Sequence, residues 1–303
     1  MLRGPFLSRN WMGACEDFEQ ADWVIVGLPF DGTTSNRPGA RFGPEAIRPA
    51  SWGLETYSPL QNADLSTVSY YDAGELEFPL GNRDAILALI NQNARDVLAA
   101  GKRWLGLGGE HLVTLPVIQA YVEKYPDLAV LHFDAHADLR DDYLGEKLSH
   151  ATVLRRVTDL IGPERLVQIG IRSGPQEEFA WMREHGTLLE DPSEIPRGLN
   201  RLAGRPVFLT VDLDVLDPSI LSGTGTPEPG GMTFSTFVEW LQAFKGLNFV
   251  GADVVELAPH YDPTGVSTAV AAKVVREVLL LASSPSKSVT CANAESASVG
   301  SHA

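Results

Sequence analysis

Three short segments of this chain carry the residues most able to do chemistry. They are Asp134-Ala135-His136-Ala137-Asp138, Asp212-Leu213-Asp214, and His111 at the end of Gly108-Gly109-Glu110-His111. On an extended backbone, alternate side chains point to one side. Asp134, His136 and Asp138 would then face one point, and Asp212 and Asp214 repeat the pattern. With His111 the set holds four carboxylates and two imidazoles. Four crowded carboxylates without cations repel one another and are driven to protonate. Two divalent ions balance their charge. Mixed oxygen and nitrogen donors suit manganese, cobalt, nickel or zinc better than magnesium or calcium, which prefer oxygen alone. Paired metals can lower the pKa of a bound water towards neutrality.

The bland alternative is real for each residue taken singly. A lone Asp after a strand is ordinarily a turn or helix-cap residue, and a lone buried His is ordinarily a satisfied core residue. We read His132 that way, with at most a supporting part behind the metal ligands. Three polar residues aimed together straight after an apolar run are costly without partners, which favours the metal reading for the set.

These residues need a scaffold. Near-continuous apolar runs at Trp23–Gly27, Val68–Asp72, Trp104–Leu107, Ala129–Phe133, Leu166–Ile171, Val207–Val211 and Phe249–Val255 predict strands buried on both faces. Between them, helices are predicted at Ala85–Ala100, from Pro175 in a first turn to Gly186, at Phe234–Phe244 and at Ser267–Ala282. The last should present Val270, Val274, Val278 and Leu281 as one stripe. Strand–helix alternation predicts a parallel sheet wrapped by helices. Four polar clusters, including Glu256, directly follow strand runs, and ligand sites of such sheets form at the C-terminal strand ends.

The chain has 303 residues, 44% hydrophobic, enough for a substantial core. Residues 1–282 read as a single catalytic domain. Residues 283–303 shift to Ser, Ala and Gly and are expected to be a disordered tail. The formal net charge of −15 argues against a nucleic-acid partner, which needs clustered Lys and Arg. No apolar run approaches membrane-spanning length and no secretory h-region is evident. Cys15 and Cys291 are far apart, imply no disulfide framework, and suit a reducing cytoplasm.

At these residues the sequence resembles the ureohydrolase family, which includes arginase and agmatinase, from about Val24 to Leu281. The resemblance is carried by Gly27-Leu28-Pro29-Phe30-Asp31, by Arg37-Pro38-Gly39-Ala40-Arg41-Phe42-Gly43-Pro44 with Ile47-Arg48, and by the metal motifs. Asp212-Leu213-Asp214-Val215-Leu216-Asp217-Pro218 belongs to it, and Gly223-Thr224-Gly225-Thr226-Pro227-Glu228 with Gly230-Gly231 looks like the agmatinase branch. Glu110 stands where the family more often has Asp. The resemblance implies an arginase-like α/β/α sandwich around an eight-stranded parallel sheet, two manganese ions, and a homohexamer or trimer. It implies one ion on His111, Asp134, Asp138 and Asp212 and the other on Asp134, His136, Asp212 and Asp214, with a bridging hydroxide attacking the guanidinium carbon. It assigns proton shuttling to His150 and guanidinium binding to Glu256, residue types suited to those tasks. Ala151 departs from the family's Gly. Arg37, Arg41 and Arg48 read as structural, and Asp217 as a turn residue.

The loop from Leu139 to Ser149 should meet the far end of the substrate. Its acids Asp141, Asp142 and Glu146 suit an amine, so the expected substrate is agmatine, cut to putrescine and urea. Guanidinobutanoate and, less so, arginine are the competing substrates. A silent polyamine-binding homologue would be expected to have lost ligands, and a deacetylase on the same fold would hold a single zinc.

Overall fold

The computed structural model describes residues 10–285. Its strands are β1 (Trp23–Leu28), β2 (Tyr57–Ser58), β3 (Ala63–Asp64), β4 (Tyr70–Glu75), β5 (Arg103–Gly108), β6 (Ala129–Phe133), β7 (Leu166–Ile169), β8 (Leu188–Leu189), β9 (Pro206–Asp212) and β10 (Asn248–Val255). Its helices are α1 (Gly43–Ser51), α2 (Arg83–Ala99), α3 (Thr114–Lys124), α4 (Val153–Ile161), α5 (Gln176–His185), α6 (Ile195–Leu202), α7 (Phe234–Ala243) and α8 (Val266–Ala282). Eight strands form one sheet in the order β4-β1-β5-β10-β9-β6-β7-β8, and every pairing in it is parallel. The short β2 and β3 pair separately and antiparallel.

Alternation along each strand divides the core in two. In β1, Trp23 and Ile25 pack into one cluster with Ile47 of α1, Phe237 of α7 and Val274 of α8. Val24 and Val26 pack into the other with Ile90 of α2, Ile118 of α3, Val157 of α4 and Met182 of α5. Helices therefore cover both faces, the expected three-layer α/β/α sandwich. Strands buried on both sides have no solvent-facing side, which is why β1, β6 and β10 read as near-continuous apolar runs.

Several boundaries differ from expectation. The strand expected at Val68–Asp72 is β4, shifted to Tyr70–Glu75, because Leu65–Thr67 makes a 3-10 turn first. The run expected to end at Ile171 stops at Ile169, where Gly170 turns at a φ of +93°. Pro175 caps α5 from outside its first turn. The last turns of α8 are buried on all sides, not along one stripe, and Val270 is only half-buried. The two-residue β8 and the helices α1, α3, α4 and α6 go beyond the elements that the sequence patterns predict. Of the expected tail, residues 286–303 lie outside the described residues.

The sheet order matters for function. β5 and β6 follow one another in sequence but are separated by β10 and β9. Connections diverge there, which opens a crevice at the C-terminal strand ends. The four strands that precede the polar clusters are the four contiguous central ones.

Candidate active site

β5 ends at Gly108 and the chain passes tightly under the loop leaving β1. Gly109 donates to Leu28 O at 2.8 Å and Glu110 donates to Phe30 O at 2.7 Å. A Cβ on Gly109 would lie 1.8 Å from Phe30 O, so only glycine permits the approach. The next residue but one, His111, is fully buried. Its Nε2 lies 2.9 Å from Thr210 Oγ1 on β9. Its Nδ1 faces Asp134 Oδ2 at 3.1 Å, Asp138 Oδ2 at 3.2 Å and Asp212 Oδ2 at 3.5 Å.

β6 delivers the second cluster. Asp134 Oδ1 accepts the amide of His136 at 2.6 Å, and Asp138 sits at a φ of +52°. β9 delivers the third. Asp212 Oδ1 accepts the amide of Asp214 at 2.9 Å, opening the 3-10 turn Leu213–Val215. In both motifs the first Asp closes an Asx turn onto the residue two ahead. The side chains thus converge through tight turns, not through the extended backbone expected. His136 Nδ1 lies 3.0 Å from Asp214 Oδ2 and 3.6 Å from Asp134 Oδ1. Asp134 therefore turns one oxygen to each imidazole.

This donor set fits two metal ions. Donor atoms about 2.1 Å from a common ion lie about 3.0 Å apart at right angles and about 3.4 Å apart at the tetrahedral angle. The spacings around His111 and His136 run from 3.0 to 3.6 Å. His111 Nδ1 is buried and makes no hydrogen bond despite three carboxylate oxygens around it, as a nitrogen with its lone pair aimed at a cation would be. His132 lies near enough to His111 and Asp134 to count as a ligand by distance. Both its nitrogens are engaged, however, with Asp134 Oδ2 at 2.8 Å and Gln168 Nε2 at 3.2 Å, so it belongs behind the ligands.

The electrostatics of the ion-free protein agree. Burial, then Asp214 and Asp134, pushes the Asp212 carboxyl well above its ordinary value. Burial, then Asp134, pushes Asp138 up to about 7. Burial pulls His136 down, but Asp134 and Asp214 outweigh it and push the imidazole up to about 12. A cluster that must hold protons when alone is one that cations would relieve.

β10 ends at Val255, and Glu256 follows in a left-handed conformation at a φ of +70°, strained for a residue with a side chain. It is almost wholly buried. Oε1 accepts the amide of His111 at 2.9 Å. Oε2 faces Gly225, where a Cβ would lie 3.4 Å away. Burial and then Glu110 raise its pKa well above normal, the condition of a carboxylate that awaits a cation.

His150 begins the turn before α4, capped by Ser149 and Thr152. Its amide donates to Thr33 Oγ1 at 3.1 Å and its Nε2 lies 3.0 Å from Ser35 Oγ. It shares a cavity of about 240 Å³ with Ser35, His136, Asp138, Arg140, Tyr143, Ala151, Glu178, Asp212 and Thr226. Burial, then the charges of His136 and His111, lowers its pKa to about 4 in the ion-free protein. Of the eight site residues read from sequence, His136, Asp138, His150 and Asp212 line this cavity, and His111, Asp134, Asp214 and Glu256 adjoin it through the contacts given above.

The acidic loop does not behave as expected. Asp141 pairs with Arg156 and Glu146 with Arg83. Asp142 accepts the amide of Gly145 at 3.2 Å. None of the three lines this cavity, although Glu146 lines the adjoining one of about 890 Å³ that shares Ser35 and Tyr143 with it. Besides Asp138 and Asp212, the buried carboxylate that lines the smaller cavity is Glu178 of α5, whose Oε1 accepts the Leu139 amide at 2.8 Å and whose pKa burial raises. Glu178, Ser35, Thr33 and Glu110 were missed. Glu110 carried a faint signal, an acid beside a candidate ligand, and the others carried none. The arginines are structural as read: Arg48 is buried between Asp72 and Glu75, Arg41 pairs with Asp31, and Arg37 lies over the Tyr261 ring. Asp217 holds its turn by accepting from Ser219, Gly230 and Gly231.

Known proteins align with this architecture. The sequence profile of the arginase family matches residues 21–281. The agmatinase of Bacillus anthracis is 49% identical over 271 residues, covering 87% of this chain and 92% of that protein. The mitochondrial guanidino acid hydrolase of Homo sapiens is 38% identical over 275 residues, covering 86% and 78%. The crystal structure of the agmatine ureohydrolase of Thermoplasma volcanium superposes with a TM-score of 0.80 at 30% identity, covering 91% and 95%. A crevice of buried His and Asp donors beside one spare carboxylate, on this sheet and at this level of identity, places the chain: it belongs to the arginase family and is a ureohydrolase, a hydrolase acting on guanidino compounds.

Proposed function

We propose that the protein hydrolyses agmatine to putrescine and urea, with two manganese ions as cofactor. The observation that carries the guanidinium reading is Glu256. Its Oε2 is a buried acceptor with a raised pKa, beside the donor cluster and unblocked by Gly225. A planar guanidinium pairs with such a carboxylate through charge-assisted hydrogen bonds.

His111, Asp134, Asp138 and Asp212 would hold one ion, and Asp134, His136, Asp212 and Asp214 the other. When bound, the ions supply a water activated at neutral pH and balance the four carboxylates. The rest falls to the chain. Glu256 orients the guanidinium and strengthens its hold as charge redistributes at the carbon. His150, hydrogen-bonded to Ser35, is neutral at pH 7 and relays to the departing amine the proton that the attacking water gives up. Water adds to the guanidinium carbon, the bond to the alkyl nitrogen breaks, and urea and the amine leave.

Agmatine is supported by the name of the Bacillus anthracis relative and by Glu178, a buried carboxylate in the cavity that suits an ammonium. A guanidino acid is the second reading, because Arg140 lines the same cavity and the human relative is named for such substrates. A homo-oligomer in a reducing cytoplasm goes with either reading. Exposed Trp52, Leu80 and Leu144 offer apolar surface for contacts between copies, Cys15 is a free thiol, and no described helix is long and apolar enough to cross a membrane.

The test is urea release from manganese-loaded protein with agmatine, arginine and 4-guanidinobutanoate in parallel. Agmatine should be preferred by at least tenfold in kcat/KM. Preference for 4-guanidinobutanoate would move the assignment to the second reading.

A further inference from the structure

Behind the donor cluster runs a chain of buried hydrogen bonds whose direction can be deduced. Gln168 of β7, Thr187 and His132 of β6 are all fully buried, and His132 and Gln168 are register partners on neighbouring strands. Gln168 Nε2 lies 3.1 Å from Ala137 O. A carbonyl oxygen only accepts, so the atom facing it must be the amide NH2 and not the amide oxygen. At the other end, Thr187 Oγ1 donates to Gln168 Oε1 at 2.9 Å, which agrees. The second hydrogen of that NH2 then points to His132 Nδ1 at 3.2 Å. Nδ1 must accept, so the ring's hydrogen is on Nε2 and is donated to Asp134 Oδ2 at 2.8 Å. Polarity is thus forced along the whole path from Thr187 to Asp134.

Asp134 is the residue that turns one oxygen towards each imidazole of the cluster. Its orientation is held at Oδ1 by the amide of His136 and at Oδ2 by His132. Partners of this kind fix ligand orientation and are worth roughly 10–100-fold in metal affinity.

We propose that Gln168 is a positioning residue for Asp134, acting through His132. It fixes which His132 nitrogen carries the hydrogen, and so ensures that the carboxylate shared by the two imidazoles meets a donor. The inference rests on the two-metal reading above. Without Gln168, His132 can place its hydrogen on either nitrogen, and Asp134 loses a fixed partner in a site where an unpaired acceptor is costly.

The test is a manganese titration of chelator-stripped protein, read by calorimetry and by electron paramagnetic resonance of the free ion. Gln168→Leu should bind at least one ion about 10–100-fold more weakly than wild type. In a His132→Phe background, Gln168→Leu should add less than about threefold, since the path is already cut. Thr187→Val, a near-isosteric change at the far end, should weaken binding by a few-fold in the same direction. Wild-type affinity in folded Gln168→Leu, or an equal loss with and without His132, would overturn the proposal. If Gln168→Leu does not fold, Thr187→Val decides, and unchanged affinity there overturns it. Wild-type protein that binds no manganese would instead remove the two-metal reading itself.

Discussion

Glu256 accepts the main-chain amide of His111 through Oε1 at 2.9 Å, so the carboxylate proposed to bind the guanidinium is tied to the turn that carries a proposed metal ligand. The tie makes Glu256→Gln a sharp experiment. The amide oxygen must take the place of Oε1, because a backbone N–H only donates. The NH2 then occupies the place of Oε2 and presents donors to a guanidinium that has only donors. Lost charge and reversed polarity act together. A charged hydrogen bond is worth about 1.5–3 kcal/mol, so kcat/KM should fall by about 10- to 150-fold. Metal content should stay at wild-type level. Steady-state kinetics alongside metal analysis check both, and activity within threefold of wild type would remove Glu256 from guanidinium binding.

Gly225 faces the same carboxylate from the other side. Its φ is not in the left-handed region, and an added Cβ would meet Arg37 O at 3.3 Å and Glu256 Oε2 at 3.4 Å. The conformation therefore permits alanine once the Arg37 carbonyl gives by a few tenths of an ångström, and the methyl group narrows the approach to Oε2. Gly225→Ala should raise KM by about tenfold, the order expected of crowding by one methyl group. Gly225 is buried, so the crowding should also cost about 1 kcal/mol of stability, too little to unfold the protein. Kinetics and a melting curve on the same preparation separate the two, and an unchanged KM would mean that the guanidinium enters elsewhere.

Thr33 joins two parts of the site that are distant in sequence. Its hydroxyl donates to Glu110 and accepts from the amide of His150. Thr33→Val keeps the shape, strips Glu110 of a donor, and leaves the His150 amide unpaired. Burial already raises Glu110 to about 7 against three donations from Thr33 and Thr34, so losing one should cost about 1–3 kcal/mol of stability. kcat should fall more than KM rises, because His150 is displaced and Glu256 is not. Thr33→Ser restores the hydroxyl and should recover most of both. Recovery of stability without recovery of kcat would show that Thr33 supports the fold but not the placement of His150.

The legible part of this molecule was the part written in local pattern. Asp134, His136 and Asp138 announced themselves by spacing after an apolar run, and burial on both faces made β6 and β9 readable. The cause of the convergence was not legible. Asx turns closed by Asp134 and Asp212, with Asp138 at positive φ, replace the extended backbone, and both geometries bring residues i and i+2 together. Glu178 and Ser35 could not be found in advance, because their importance arises only when α5 and the loop after β1 meet at the cavity. The acids of the loop after Asp138 misled for the reverse reason. In sequence Asp141 and Glu146 have only Arg140 and Lys147 beside them, but Arg156 and Arg83 reach them from elements distant in the chain. The two-residue edge strand β8 is too short for any periodicity to show.

Metal removal should be strongly pH-dependent, and its sign can be worked out. In the ion-free protein the folded Asp138 carboxyl is raised to about 7, by burial first and Asp134 second. A raised carboxyl binds a proton on folding, so the ion-free form loses stability as pH rises from about 4 to about 7. His136 is raised to about 12 by its carboxylate partners against burial. That favourable pairing is complete below about 6.5 and is lost as pH rises towards the folded value. Both groups therefore weaken the ion-free form as pH increases, whereas ions that need deprotonated ligands bind better. The gain in melting temperature on adding manganese to stripped protein should be larger at pH 8 than at pH 6, and reloading in weak buffer should release protons. At 100 times the dissociation constant a single site contributes about 2.7 kcal/mol, enough for a clear shift. Melting curves with and without manganese at the two pH values check this, and an equal gain at both would show that the cluster does not hold protons in place of ions.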